Sequence, residues 1–133
     1  MTDERQVQEQ NDEKLINDAF QELLDRYLES KHRKKVEIIT KAFNFARQAH
    51  KGVRRRSGEP YILHPIAVAR IACVEIGLGS TSICSALLHD VVEDTDYTVE
   101  DIENLFGPKI AQIVDGLTKI SGGIFGDKAS VQA

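Results

Sequence analysis

The stretch TSICSALLHDVVED, residues 81–94, is apolar around most of the circumference of the helix that it predicts. Ser80 or Thr81 is placed to cap the start of this helix, because serine and threonine hydroxyls accept hydrogen bonds from its first free N–H groups. A helix on a protein surface shows one apolar face and one polar face. This segment must therefore be buried on most sides, and its polar end, from His89 to Asp94, needs a separate explanation.

Five further helices are predicted around this segment, from apolar residues repeated every three or four positions. They cover residues 15–28 with Asp12 as a cap, 36–50, 64–77, 99–106 and 109–120. Thr98 and Asp101 have the spacing of a capping box at the start of the fifth helix. No stretch alternates apolar and polar residues as a strand does. We therefore predict an all-α fold, an orthogonal array of about six helices.

The composition predicts one domain with a core, since the chain has 133 residues of which 41% are hydrophobic. Residues 1–11 are polar and lack apolar periodicity, so a frayed tail is expected. Neither a membrane span nor a secretory leader is predicted, which favours a cytoplasmic protein without membrane contact. The net charge of −4 argues against direct nucleic-acid binding through overall charge. Cys73 and Cys84 lie in apolar stretches and are expected to be buried free thiols.

His89 and Asp90 are neighbours about 100° apart around a helix axis, so both can reach one point only from the edge of a buried face. His64 opens an earlier predicted helix and can present a second ring. Imidazole and carboxylate ligands suit manganese, iron or zinc. A cation would also offset the repulsion among Asp90, Glu93 and Asp94 at a helix end that favours basic residues. The alternative is a hydrogen-bonded core histidine followed by a solvated acidic turn.

The segment KGVRRRSGEPY, residues 51–61, breaks the helical pattern and predicts a cationic loop. Arginine binds phosphate oxygens through two N–H groups and stacks on bases, whereas lysine acts as a point charge. The cationic residues are Lys51, Arg54, Arg55 and Arg56. A solubilising surface loop would have the same composition. Because the loop leads directly to His64, a cationic loop beside a metal centre is indicated, and this combination predicts a phosphate-ester or pyrophosphate site.

Three motifs together resemble the N-terminal hydrolase domain of the RelA/SpoT family, the bifunctional enzymes that make and degrade (p)ppGpp in the stringent response. They are RSGEPYILHP (56–65), ALLHDVVEDT (86–95) and IVDGLTKI (113–120). In this resemblance His89-Asp90 is the HD motif of the wider HD metal-phosphohydrolase superfamily. The resemblance implies a mainly helical fold, a manganese ion, and removal of the 3′-pyrophosphate from guanosine tetra- or pentaphosphate to give GDP or GTP.

The resemblance also implies roles for individual residues. His64, His89 and Asp90 fall on metal ligands, and Glu93 and Asp94 fall on the acidic pair that activates or positions the attacking water. Arg55 matches the arginine that packs on guanine, Lys51, Arg54 and Arg56 lie where phosphate contacts are expected, and Ser57 and Tyr61 help to shape the pocket. His50, which the family does not use as a ligand, is expected to be a core histidine, and His32 a surface residue.

The fourth protein ligand in this family is an aspartate on a later helix, in a stretch resembling ADRLHNMRT, which does not occur in these 133 residues. Asp115 falls inside the third motif and is not a ligand in the family. We therefore expect residues 12–133 to be the N-terminal part of a hydrolase domain that is incomplete at its C-terminus. The longer protein would also carry synthetase and regulatory domains. Alone, the chain is expected to bind manganese weakly and to be inactive.

Two other functions are compatible with the same motifs. The chain could belong to another HD phosphohydrolase that acts on a deoxynucleotide or a cyclic nucleotide, although the RSGEPY loop argues against this. It could instead be a non-catalytic HD domain that regulates an attached (p)ppGpp synthetase. Such a domain would be expected to lose the metal ligands or the acidic pair, all of which are present. An all-α module with a basic surface loop is the remaining alternative.

Overall fold

The computed structural model describes residues 3–30 and 34–120. Within these two ranges the structure is helical, with one isolated antiparallel bridge between Arg54 and Pro60. The helices are α1 (Glu4–Glu29), α2 (Val36–Ala49), α3 (Leu63–Val74), α4 (Ser80–Asp94), α5 (Val99–Phe106) and α6 (Pro108–Ile120). The predicted all-α class and the six helices are therefore confirmed. His32 and residues 121–133 lie outside the described residues.

Helix α4 is surrounded by other helices, as its apolar sequence predicts. It packs against α2, α3 and α6, while α1 packs on α3 and α5 on α6. Eight of its fifteen residues are buried, and one of these, Asp90, is charged. The most apolar helix therefore brings the HD pair to the edge of the core.

The predicted cap of α5 is confirmed, whereas the predicted cap of α4 is not. The capping box of α5 is present, since the Thr98 hydroxyl accepts from the Asp101 N–H at 3.2 Å and the Asp101 carboxylate accepts from the Thr98 N–H at 2.9 Å. The predicted cap of α4 is wrong. Gly79 occupies the N-cap position without a side-chain cap, and Ser80 is already the first helical residue. The extended backbone at Gly79 brings the chain into the helix one residue earlier than a hydroxyl cap would.

Helix α1 begins at Glu4 rather than after Asp12, so residues 4–11 are helical and not a frayed tail. The Asp3 carboxylate caps it by accepting from the Gln6 N–H at 2.9 Å. Residues 3–11 are exposed, which agrees with their polar composition. Apolar periodicity cannot detect such turns, because they contain few apolar residues and their stability comes from helix-forming Glu, Gln and Arg residues and a local cap.

Aromatic rings join α1 to the rest of the core. Phe20 of α1 stacks on Phe43 of α2 with the ring centroids 3.8 Å apart, and the Tyr27 hydroxyl accepts from the Lys35 N–H at 3.0 Å. Both cysteines are buried free thiols as predicted, and burial raises the pKa of Cys84 to about 12. None of the described helices is long and apolar enough to cross a membrane.

Candidate metal and phosphate site

His89 and Asp90 form a side-chain pair at the C-terminal end of α4. The His89 Nε2 atom lies 3.0 Å from Asp90 Oδ1, and its Nδ1 atom lies 3.0 Å from the carbonyl oxygen of Ala86. The hydrogen bond to Asp90, opposed by burial, raises the pKa of His89. Because both ring nitrogens have acceptors, the ring is oriented and a proton is favoured on the nitrogen that faces Asp90.

Asp90 is a buried carboxylate whose second oxygen, Oδ2, has no hydrogen-bond partner. Burial raises the pKa of this carboxyl group, but the contact with His89, the nearby Tyr61 hydroxyl and the positive charges of His89 and His64 bring it below its usual value. A buried, ionised and half-paired carboxylate is costly unless a cation meets it. The donor set at Asp90 is therefore suited to a divalent cation.

Glu93 completes a group of possible metal ligands with His89 and Asp90. One donor atom from each of these three residues lies within 4.8 Å of the other two. His64, in the first turn of α3, stands outside this group, although its charge acts on Asp90. Asp94 is exposed at the end of the same helix. The structure thus brings the HD pair and Glu93 together and places His64 nearby.

Tyr61 connects the cationic loop to the acids. Burial raises the pKa of its hydroxyl, and the carboxylates of Asp90 and Asp94 raise it further. The hydroxyl therefore lies near enough to these two acids to interact with their charges. The ring centroid of Tyr61 lies 5.9 Å from that of His64 and 5.0 Å from that of His50. Tyr61, predicted to shape the pocket, thus lies between two histidines and near the two acids.

His50 has the burial that was predicted for a core histidine, but it also borders the site. Its side chain is 3% exposed, and its Nε2 atom has no hydrogen-bond partner. Burial lowers the pKa of this ring, while the charges of Asp90 and Asp94 act in the opposite direction. Its place on the apolar stripe of α2 indicates burial. No sequence signal places it beside acids that lie about forty residues later.

The cationic loop forms a short hairpin. The Tyr61 N–H donates to the Val53 carbonyl, the Arg55 N–H to the Glu59 carbonyl and the Gly58 N–H to the Arg55 carbonyl, each at 2.9 Å. Gly58 has a φ of +101°, a conformation that L side chains rarely adopt. Three backbone hydrogen bonds therefore fix the turn that presents Arg55 and Arg56.

The side chains of the loop differ in their contacts. Arg54 binds the Asp12 carboxylate and the Gly58 carbonyl oxygen. The Ser57 hydroxyl donates to Glu59 at 2.8 Å, which lowers the pKa of Glu59, and Arg55 lies 3.8 Å from the same carboxylate. Lys51, Arg55 and Arg56 are exposed. The structure gathers the predicted cationic residues in one loop, but Arg54 already has protein partners.

The family model described as HD domain matches residues 42–124. The chain therefore belongs to the HD domain family.

Relatives narrow this assignment. A Vibrio cholerae protein named guanosine-3′,5′-bis(diphosphate) 3′-pyrophosphohydrolase is 41% identical over 116 residues, which are 87% of this chain and 16% of that protein. The bifunctional (p)ppGpp synthase/hydrolase SpoT of Escherichia coli K12 is 42% identical over 116 residues, which are again 87% of this chain and 16% of that protein. A solved structure, titled as a metazoan ortholog of SpoT that hydrolyses ppGpp, has a TM-score of 0.56 and 38% identity, over 59% of this chain and 46% of that one.

These comparisons confirm the resemblance to the RelA/SpoT family that the three motifs indicate. They also agree with an all-α fold of the HD type. The chain spans only 16% of the length of the two bacterial relatives.

Proposed function

We propose that this chain supplies most of the active site of a (p)ppGpp hydrolase, which removes the 3′-pyrophosphate of guanosine tetra- or pentaphosphate. The observation that carries the proposal is the unpartnered Oδ2 atom of buried Asp90, within a group of metal-ligand side chains beside an arginine loop. The names of the relatives support the choice of substrate. Water is added across the bond from the ribose 3′-oxygen to phosphorus, and the products are GDP or GTP and pyrophosphate.

His64, His89 and Asp90 would hold the metal ion, which we propose to be manganese. A fourth protein ligand would come from beyond residue 133. When bound, such an ion supplies Lewis-acid stabilisation of phosphoryl charge and lowers the pKa of a bound water. The donor set of imidazole nitrogens and carboxylate oxygens is compatible with manganese as well as iron or zinc. In this proposal Asp90 Oδ2, which has no hydrogen-bond partner, would be available to bind the ion.

The remaining side chains have separate tasks. Glu93 and Asp94 orient the attacking water and accept its proton. Arg55 packs on the guanine, and Lys51 and Arg56 neutralise phosphate charge. Tyr61 and Ser57 shape the pocket, and the Tyr61 hydroxyl holds the acids in place. Arg54, predicted to contact phosphate, instead has its guanidinium bound to Asp12 and Gly58.

We further propose that residues 12–133 are the N-terminal part of the hydrolase domain in a longer cytoplasmic protein with synthetase and regulatory domains. The test compares this chain with a version extended by about one helix pair beyond Ala133. Release of pyrophosphate from ppGpp by the extended version, dependent on manganese, is the expected result. Calorimetry that finds tight stoichiometric manganese binding by the present chain would contradict the need for a later ligand.

A second candidate is a non-catalytic domain that regulates an attached synthetase. It is favoured by the name of the Escherichia coli relative, which includes a synthase activity. Against it stands the presence of His64, His89, Asp90, Glu93 and Asp94, which a non-catalytic domain would be expected to lose. If the full-length protein is folded and makes ppGpp but releases no pyrophosphate with manganese, the regulatory role replaces the hydrolytic one.

A further inference from the structure

An ion pair joins the N-terminal helix to the cationic loop. Arg54 Nη1 lies 2.7 Å from Asp12 Oδ2, and Arg54 Nη2 lies 3.3 Å from Asp12 Oδ1. This is the two-point geometry that gives an arginine–carboxylate pair direction as well as attraction. The Asp12 side chain is only 15% exposed. The contact therefore connects two segments that are 42 residues apart in a defined orientation.

The third nitrogen of the same guanidinium binds the loop itself. Arg54 Nε donates to the carbonyl oxygen of Gly58 at 2.6 Å. Gly58 ends the turn that contains Arg55 and Arg56, since its N–H binds the Arg55 carbonyl. The Arg54 side chain thus hydrogen-bonds both to Asp12 of α1 and to Gly58 at the end of the turn. Arg54 spans the base of the turn, with its three nitrogens occupied by protein acceptors.

Helix α1 is fixed firmly enough to serve as a support. Arg47 of α2 binds both Glu13 and Asn17 of α1, the latter at 3.1 Å. Arg70 of α3 lies 3.0 Å from Glu22 of α1. Together with the stacked pair of Phe20 and Phe43, these contacts hold the part of α1 that follows Asp12 against α2 and α3.

We propose that Asp12 and Arg54 are positioning residues for substrate binding: through Arg54, α1 braces the turn that presents Arg55 and Arg56. Neither residue contacts the substrate in this scheme, and Arg54 is not a phosphate ligand. The inference rests on the proposed function, because it assigns the turn to the nucleotide. The proposal gives different roles to the three consecutive arginines. Arg54 binds Asp12 of α1, whereas Arg55 and Arg56 are exposed and able to meet the nucleotide.

The first test is hydrogen exchange of the backbone in Asp12→Asn, which keeps the size of the side chain but removes its charge. We expect faster exchange at the Arg55 and Gly58 amides, because their hydrogen bonds close the turn. Asp18→Asn is the matched control: Asp18 lies on the same helix, exposed, in a long ion pair with Lys14 at 3.7 Å. Asp12→Glu, which keeps the carboxylate, should exchange these amides as slowly as the wild-type protein. Unchanged exchange in Asp12→Asn would overturn the brace.

The second test measures kinetics in the full-length protein. Asp12→Asn should raise KM for ppGpp roughly twofold to fivefold, the scale of a partly exposed ion pair, and leave kcat and manganese affinity unchanged. Faster exchange with an unchanged KM would show a structural pair only and would overturn the positioning role. If the wild-type protein neither binds nor hydrolyses ppGpp, the proposed function fails, while the exchange experiment still decides whether α1 braces the turn.

Discussion

At the scale of single residues, Asp90 carries the largest electrostatic imbalance in the site. One of its oxygens faces His89, and the other is buried without a partner. A side chain selected only for stability would not leave a carboxylate in this state, because unpaired buried charge is unfavourable. A cation bound at Asp90, as we propose, would offset this charge.

We predict that Asp90→Asn in the full-length protein lowers hydrolysis by about two orders of magnitude or more, since it removes the charge that faces the ion and the phosphoryl group. Manganese binding should weaken in calorimetry. Asp96→Asn, at an exposed position just after α4, is the control and should retain activity. Full activity of Asp90→Asn would refute the ligand assignment.

The His89 ring gives a prediction for pH. The bond to Asp90 raises the pKa of His89 above its ordinary value of 6.5, so a proton and the ion compete for Nε2. Manganese affinity should be highest at a pH above the raised pKa of His89 and should decrease as the pH falls through that pKa. Calorimetry in two buffers with different heats of ionisation would count the proton that leaves on binding. An affinity that does not change with pH, with no proton released, would contradict this assignment.

At the scale of helices and loops, α5 illustrates how a local signal can fix a boundary. We predict that Thr98→Ala lowers the free energy of unfolding by about 1 kcal/mol, because it removes one half of a reciprocal cap. Ser80→Ala is the control, since Ser80 is a hydroxyl residue at a helix start that does not cap it, and its effect should stay within about 0.5 kcal/mol. Equal losses in urea denaturation would show that the capping box does not stabilise α5.

Elements with strong local patterns were predictable, and those held by distant contacts were not. The apolar repeats of α2, α4 and α6 and the capping box of α5 lie within one or two turns of sequence. The first two turns of α1 have no apolar repeat, so the sequence pattern places its cap at Asp12, nine residues after the observed cap Asp3. The HD pair was visible because its residues are neighbours. The contacts of Arg54 with Asp12 and of Tyr61 with Asp90 depend on packing and have no sequence signal.

At the scale of the whole molecule, α4 holds the domain together, because α2, α3 and α6 all pack on it. Leu88, fully buried in α4, should therefore be costly to truncate. We predict that Leu88→Ala lowers the free energy of unfolding by about 2–5 kcal/mol. The control Leu28→Ala, at a position 46% exposed on α1, should cost less than about 1 kcal/mol. Similar losses for both in thermal or urea unfolding would contradict the central place of α4.

The HD domain match begins at residue 42, inside α2 and well after α1. A truncated version cut to that boundary would nevertheless expose Phe43, whose stacking partner Phe20 lies in α1, and would leave Arg54 without its counter-ion Asp12. Helix α1 thus completes the core around Phe43 although it lies outside the residues that match the HD domain model. Helix α1 supplies both a part of the core and an outer support for the loop that we assign to the nucleotide.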